Sequence, residues 1–233
     1  IYGQVADIEK IADICKLHGV YLIEDAAESL GATYNAKHSG TFGDFGIYSF
    51  NGNKILTTSG GGMLVSPNRE WIEKAKFYAT QAKEDYLHYE HTEIGYNYRM
   101  SNVLSAIGVA QMEVIDDRVA KKREIFSWYK EELSQIVEFM PELKNSYGTR
   151  WLTTIIFKDK NIDPNLIIKK LDEDGCESRP LWKPMHQQPL FKDSKTILNG
   201  VSDNLFSHGL SLPSGTTMER EDVQRVCRII KGV

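Results

Sequence analysis

No stretch of this 233-residue sequence approaches the roughly 20 consecutive apolar residues that span a bilayer. Cysteine is scarce: Cys15, Cys176 and Cys227 stand far apart, without the close pairing of a zinc site or a redox pair, and read as reduced thiols of a cytoplasmic protein. Basic charge is not in excess either. The formal net charge of -4 argues against nucleic acid or an anionic membrane as the main partner. Internal repeats and low-complexity segments are missing. Ile1 is preceded by no start Met, charged leader or secretory apolar core, so the expectation is a chain whose amino-terminal part is absent. What is present is a composition 41% hydrophobic over a length able to bury a substantial core, either as one large domain or as a domain plus a smaller one.

The pattern along the first half alternates strands with helices. Asp7 is placed to cap a helix whose Ile8, Ile11, Cys15 and His18 share a face and which Gly19 stops. The apolar run Val20 to Glu24 then reads as a buried parallel strand with Asp25 at its carboxyl end. Phe45 to Phe50 and Gly62 to Ser66 are two further strands, the second ended by Ser66-Pro67 as a helix cap and first-turn proline. Helices are expected from about Ser101 to Ile115 and from Asp117 to Ile136. Beyond Pro141 come a strand (Trp151 to Phe157), a helix capped by Asp163-Pro164, a strand from Cys176 to Arg179 and a last helix from Glu219 to Lys231. This divides the chain into a large domain over 1–115, a connecting helix over 116–140 and a small α+β domain over 141–233.

Three features carry chemistry. Asp25 closes a strand, where open α/β sheets bind ligands, although an aspartate there is also an ordinary helix cap or surface group. Lys54 follows the second strand on a turn and is flanked by the apolar Ile55 and Leu56; a solvated turn lysine is its bland alternative. The turn Thr57 to Gly62 is glycine-rich but has neither the lysine of a phosphate-cradling P-loop nor the spacing of a dinucleotide fingerprint, so its glycines serve a tight turn behind Lys54. An amine to hold an aldehyde, a carboxylate to keep a ring nitrogen protonated and donors for a phosphate are what Schiff-base chemistry on a pyridoxal ring requires of a protein.

The runs Glu24 to Ala32, Gly46 to Lys54, the triple glycine and Gly95-Tyr96-Asn97-Tyr98-Arg99-Met100-Ser101-Asn102 occur in an order that resembles the DegT/DnrJ/EryC1/StrS aminotransferases over essentially the whole chain. Within that family the resemblance is to members that aminate a UDP-linked 4-keto-6-deoxy sugar, as in diacetylbacillosamine synthesis. It implies an aspartate-aminotransferase-like α/β fold (fold type I), with a mostly parallel sheet, helices on both faces and a small carboxyl-terminal α+β domain. It also implies pyridoxal 5'-phosphate as cofactor, bound to Lys54 as a Schiff base, with Asp25 at the ring nitrogen and Ser49 at the phosphate. Asn97 is similar to the asparagine that reaches the phosphate from the neighbouring subunit of a homodimer. Glu28 stands where relatives carry Gln, His or Glu near the ring's 3′ oxygen; either it is protonated there or it touches something else. A lysine at position 54, rather than the histidine of the dehydrating branch, implies transamination: an amino group moves from an amino acid, by analogy L-glutamate, to the C4 keto group of UDP-4-keto-6-deoxy-N-acetylglucosamine. Amination of a 3-keto sugar or of an inositol-type ketone, and an inactive or regulatory pyridoxal-phosphate-binding homologue, are the alternatives.

Further candidates lie outside these motifs. Asn53, next to Lys54, and Arg179, Trp182 and His186, in and beside the proline-rich loop from Pro180 to Pro189, are candidate substrate contacts. Arg179 suits a diphosphate or a donor carboxylate and Trp182 suits stacking on a base or sugar, each against the plain reading of a surface arginine or a local aromatic core. His88 and His91 sit three apart among glutamates, but no cysteine or third histidine is placed to close a metal site, and a solvated loop is the expectation.

Overall fold

The computed structural model describes residues 1–232. In chain order the elements are α1 (Ile8–Leu17), β1 (Ile23–Asp25), β2 (Thr33–Tyr34), β3 (Lys37–His38), β4 (Phe45–Ser49), β5 (Gly62–Val65), α2 (Arg69–Ala79), α3 (Asn102–Met112) and α4 (Ile115–Leu133). There follow β6 (Val137–Phe139), β7 (Ser146–Tyr147), β8 (Thr153–Phe157), α5 (Pro164–Glu173), β9 (Arg179–Pro180), α6 (Val201–His208), β10 (Gly209–Leu212) and α7 (Arg220–Lys231). They gather into two compact units. One holds residues 1, 3–119 and 142–149; the other holds residue 2, residues 120–141 and the chain from Arg150 onward.

In the first unit, β1 and β4 run parallel, with Ile23, Glu24 and Asp25 opposite Phe45, Gly46 and Ile47. The connection from β4 to β5 is a loop and the two strands are antiparallel, so a hairpin stands where the sequence pattern alternates strand and helix. β1 is also not buried on both faces: Ile23 is 60% exposed while Glu24 is buried. Its neighbours explain the local order. Ala26, Tyr48, Phe50 and Leu56 form one core cluster with Ile115 and Val119, and this draws the turn after β1 and the loop after β4 together. β7 returns residues 142–149 to this unit by pairing with β2, a crossing that no pattern in the sequence carries.

Two expected caps are occupied differently. Asp7 stands at the start of α1 but makes no capping bond; it pairs with Lys10 instead. At α2 the cap is Asn68, whose Oδ1 accepts from the backbone N–H groups of Glu70 (3.0 Å) and Trp71 (3.3 Å), while Ser66 donates to the carbonyl of Asp44. Ser101 and Asp163 do cap α3 and α5, and α7 opens with a capping box between Glu219 and Asp222.

The second unit is an antiparallel sheet in the order β6-β8-β10-β9. All four residues of β10 are buried, and Leu210 and Leu212 join Ile155, Phe157, Ile167, Leu171, Val223 and Val226 in its core. The three cysteines are free, and burial pushes the Cys227 thiol up to about 12, which makes it a packing residue rather than a reactive one. Among the described residues, no helix is long and apolar enough to cross a membrane.

Lys122, on α4, is buried in this unit and donates to the carbonyls of Trp151 (2.9 Å) and Ser214 (2.6 Å). Burial lowers its amine from 10.5 to about 8. Below pH 8 the amine is protonated in both the folded and the unfolded chain, and the desolvation cost is fully present. Between pH 8 and 10.5 only the unfolded chain holds the proton, so this group makes stability rise with pH, by at most about 1.4 kcal/mol per unit. Lys122→Met should remove that rise. Urea midpoints of both proteins at pH 7.5, 9 and 10 check it; equal slopes would assign the amine an ordinary titration.

Candidate active site

The site begins with a buried carboxylate that is not itself a candidate for chemistry. Glu24, 8% exposed, accepts hydrogen bonds from the backbone N–H groups of Gly40 (2.8 Å), Phe42 (2.5 Å) and Gly43 (2.6 Å). Three charge-assisted bonds offset the cost of burying the carboxylate and fix the 40–43 segment beneath β1. Gly43 has to be glycine here, because a Cβ would stand 2.4 Å from the carbonyl oxygen of Leu22.

With Glu24 turned inward, Asp25 points to the opposite face. Its strand partner Ile47 and Ser49, two residues further on, share that face, whereas Gly46 and Tyr48 share the buried one with Glu24. Asp25 Oδ1 accepts from the backbone N–H of Ala27 at 3.1 Å, and its other oxygen has no protein partner among the described residues. Ser49 is half-buried and accepts from the N–H of Asn51.

The turn after β1 is held by Ser29 Oγ donating to Ser39 Oγ (3.0 Å), and by Gly31, whose φ of +88° favours glycine and whose missing Cβ would stand 3.3 Å from a methyl of Val119. The loop after β4 turns back at Asn51, where the N–H of Lys54 donates to its carbonyl (3.1 Å), and is anchored by buried Leu56. Both segments contribute to one core cluster, and this brings Glu28 into direct contact with Lys54. Lys54 Nζ donates to Glu28 Oε1, with the side chains only 11% and 14% exposed. Glu28 thus has the lysine as its partner, in an ion pair.

The remaining candidates are spread more widely. Asn53 is exposed on the Lys54 turn, with its Oδ1 accepting from Asn51 Nδ2. Asn97 is exposed and bridges Thr80 at the end of α2, just before α3. In the second unit, Arg179 is exposed and donates through Nε and Nη2 to Glu177 (2.8 and 2.6 Å). Trp182 is half-exposed beside Tyr2 and Trp151, at ring separations of 5.2 and 6.3 Å, and its backbone N–H donates to Tyr2 Oη. His186 Nε2 bonds Asp203 Oδ1 at 2.7 Å. Hydrogen bonds from Gln187 and His186 hold the Asp203 carboxyl below the usual range. Asp203 escaped the sequence reading because it lies 17 residues from His186, at no spacing that marks a pair. His88 bonds Glu90 and His91 bonds the carbonyl of Gln81, and among the described residues no three metal-ligating side chains converge.

The model of the DegT/DnrJ/EryC1/StrS aminotransferase family matches residues 1–231. The chain is 50% identical to EpsN of Bacillus subtilis, provisionally named a pyridoxal phosphate-dependent aminotransferase, covering 99% of this chain and 61% of that protein. It is 37% identical to GDP-perosamine synthase of Vibrio cholerae (99% and 64%) and 29% identical to the UDP-4-amino-4,6-dideoxy-N-acetyl-beta-L-altrosamine transaminase of Campylobacter jejuni (96% and 61%). The crystal structure of the aminotransferase TlmJ from Streptoalloteichus hindustanus superposes with a TM-score of 0.92 at 25% identity, covering 99% of this chain and 63% of that one. The chain thus spans 61–64% of the length of these relatives.

Removing Glu24 tests the geometric basis of the site. Glu24→Ala leaves three backbone donors unpaired and should cost at least about 3 kcal/mol, read by denaturant unfolding. A loss under about 1 kcal/mol would show that the 40–43 segment is held by something else.

Proposed function

The chain belongs to the DegT/DnrJ/EryC1/StrS aminotransferase family, and from that membership we propose that it forms the greater part of a pyridoxal-phosphate-dependent sugar-nucleotide aminotransferase. The observation that carries the reading is the donor set of the first unit: a lysine amine, a strand-end carboxylate with a free oxygen and a hydroxyl, grouped around one end of the β1–β4 pair. An amine, a carboxylate and a phosphate donor are the groups pyridoxal phosphate needs, and the residues present fit it.

Bound there, pyridoxal phosphate supplies an electron-accepting ring that stabilises negative charge at the substrate carbon. Lys54 holds it through Nζ and, once free of it, acts as the base and acid that moves a proton at the substrate carbon. Asp25 keeps a proton on the ring nitrogen through a charge-assisted bond of about 1.5–3 kcal/mol. Ser49 Oγ donates to the phosphate. Asn97 serves the phosphate held by a second copy of the chain; it precedes α3, whose Val103 and Ile107, one turn apart on one face, are exposed, as expected of a face that meets another copy. Asn53, Arg179, Trp182 and His186 contact the sugar nucleotide or the amino donor, Arg179 after exchanging Glu177 for an anionic ligand.

The overall exchange moves an amino group from an amino acid, L-glutamate by analogy, to the C4 keto group of a nucleotide-linked 4-keto-6-deoxy sugar. The UDP-N-acetylglucosamine form is the first reading, supported by the UDP-linked product in the name of the Campylobacter jejuni relative. A GDP-linked sugar is the second, favoured by the higher identity to GDP-perosamine synthase.

Incubating the purified protein with pyridoxal phosphate, glutamate and each of the two 4-keto-6-deoxy sugar nucleotides, with products read by mass spectrometry, decides between them. One should gain an amine; amination of neither would overturn the assignment to 4-keto sugars. Lys54→Ala should lower turnover at least about a thousandfold, and retention within tenfold would remove Lys54 from its role. Asp25→Asn, which keeps the shape but not the charge, should slow the half-reaction with glutamate more than about tenfold; an unchanged rate would assign the ring nitrogen to another residue.

A further inference from the structure

Before Lys54 can bond a carbonyl it must shed a proton, because an ammonium has no lone pair. In the structure that ammonium is engaged. Its Nζ donates to Glu28, and the two side chains are largely withdrawn from water, at 11% and 14% exposure. Glu28 has no other protein partner among the described residues, and its turn is fixed by the Ser29–Ser39 bonds and by Gly31. The neighbouring carboxylate, Asp25, accepts from the N–H of Ala27 and lies on the open sheet face.

We propose that Glu28 is the proton acceptor that frees the amine of Lys54 for bond formation with a carbonyl compound. This rests on the reading that Lys54 holds pyridoxal phosphate. In the step, an N–H bond of Lys54 breaks and an O–H bond forms at Glu28, and the released lone pair makes the C–N bond to the aldehyde carbon. Water then departs, carrying the aldehyde oxygen, the proton returned from Glu28 and one proton from Nζ. The nitrogen keeps its third proton and the positive charge, and Glu28 is again a carboxylate. Total charge is the same before and after, which suits a site already holding a second carboxylate in Asp25. The direct contact gives the proton a path that does not pass through bulk water.

Stopped-flow absorbance of the imine formed on mixing the purified protein with saturating pyridoxal phosphate tests this without turnover. Glu28→Gln keeps size and hydrogen bonding but cannot accept the proton, and should slow imine formation at least about tenfold at fixed pH, with non-covalent cofactor retention unchanged. Glu28→Ala should be as slow and should be accelerated saturably by added formate, a rescue that a merely structural glutamate would not show. Imine formation in Glu28→Gln within threefold of wild type, or a Glu28→Ala variant indifferent to formate, would overturn the proposal. Absence of any imine band in the wild-type protein would instead overturn the cofactor reading, and this inference with it.

Discussion

The candidate active site depends on one buried carboxylate. Glu24 turns under β1 and gathers the amides of Gly40, Phe42 and Gly43, and strand alternation then obliges Asp25 to face the other way. From that single constraint the rest is built outward. The parallel register sets Asp25 beside Ile47, Ser49 follows on the same face, and β4 runs directly into the loop that carries Lys54. Packing of Ala26 against the cluster that holds Leu56 closes the gap between the two segments, so an acidic turn and a basic loop meet. The chemistry is on the loops, but their positions are set by the core beneath them.

The turn after β1 carries two carboxylates, Asp25 and Glu28, against the one lysine amine that Glu28 pairs with, and the cofactor such a site is proposed to take is itself anionic. A site with fixed negative charge must divide it by task. Asp25 keeps a free oxygen on the open face, where the proposed partner is a cationic ring nitrogen, and Glu28 is occupied by the lysine. The division follows from backbone geometry, which aims the two carboxylates differently although only two residues separate them.

Much of this was legible in the sequence, for reasons that differ by element. Asp25 and Lys54 could be picked out because a strand end and a strand-following turn are places where local pattern alone locates a side chain. The helices over 102–112, 164–173 and 220–231 were legible through caps and periodicity. The Glu28–Lys54 contact and the His186–Asp203 pair were not, since both depend on segments brought together by the core, over separations of 26 and 17 residues. β10 was missed because Gly209-Leu210-Ser211-Leu212 is a four-residue run buried on every side, too short to show a period. Arg179 is a different case: Glu177 lies two residues before it, the spacing that puts extended side chains on one side, so its ion pair was within reach of the pattern and was overlooked.

The central claim is that the amine of Lys54 carries the cofactor. Reducing the purified protein with borohydride after incubation with pyridoxal phosphate fixes the imine as a stable secondary amine, and peptide mapping by mass spectrometry then locates it. The added mass should fall on the peptide containing Lys54, with fragment ions placing it on that residue and with no such peptide from Lys54→Ala. A label on another lysine, or spread over several surface amines and undiminished in Lys54→Ala, would contradict the assignment.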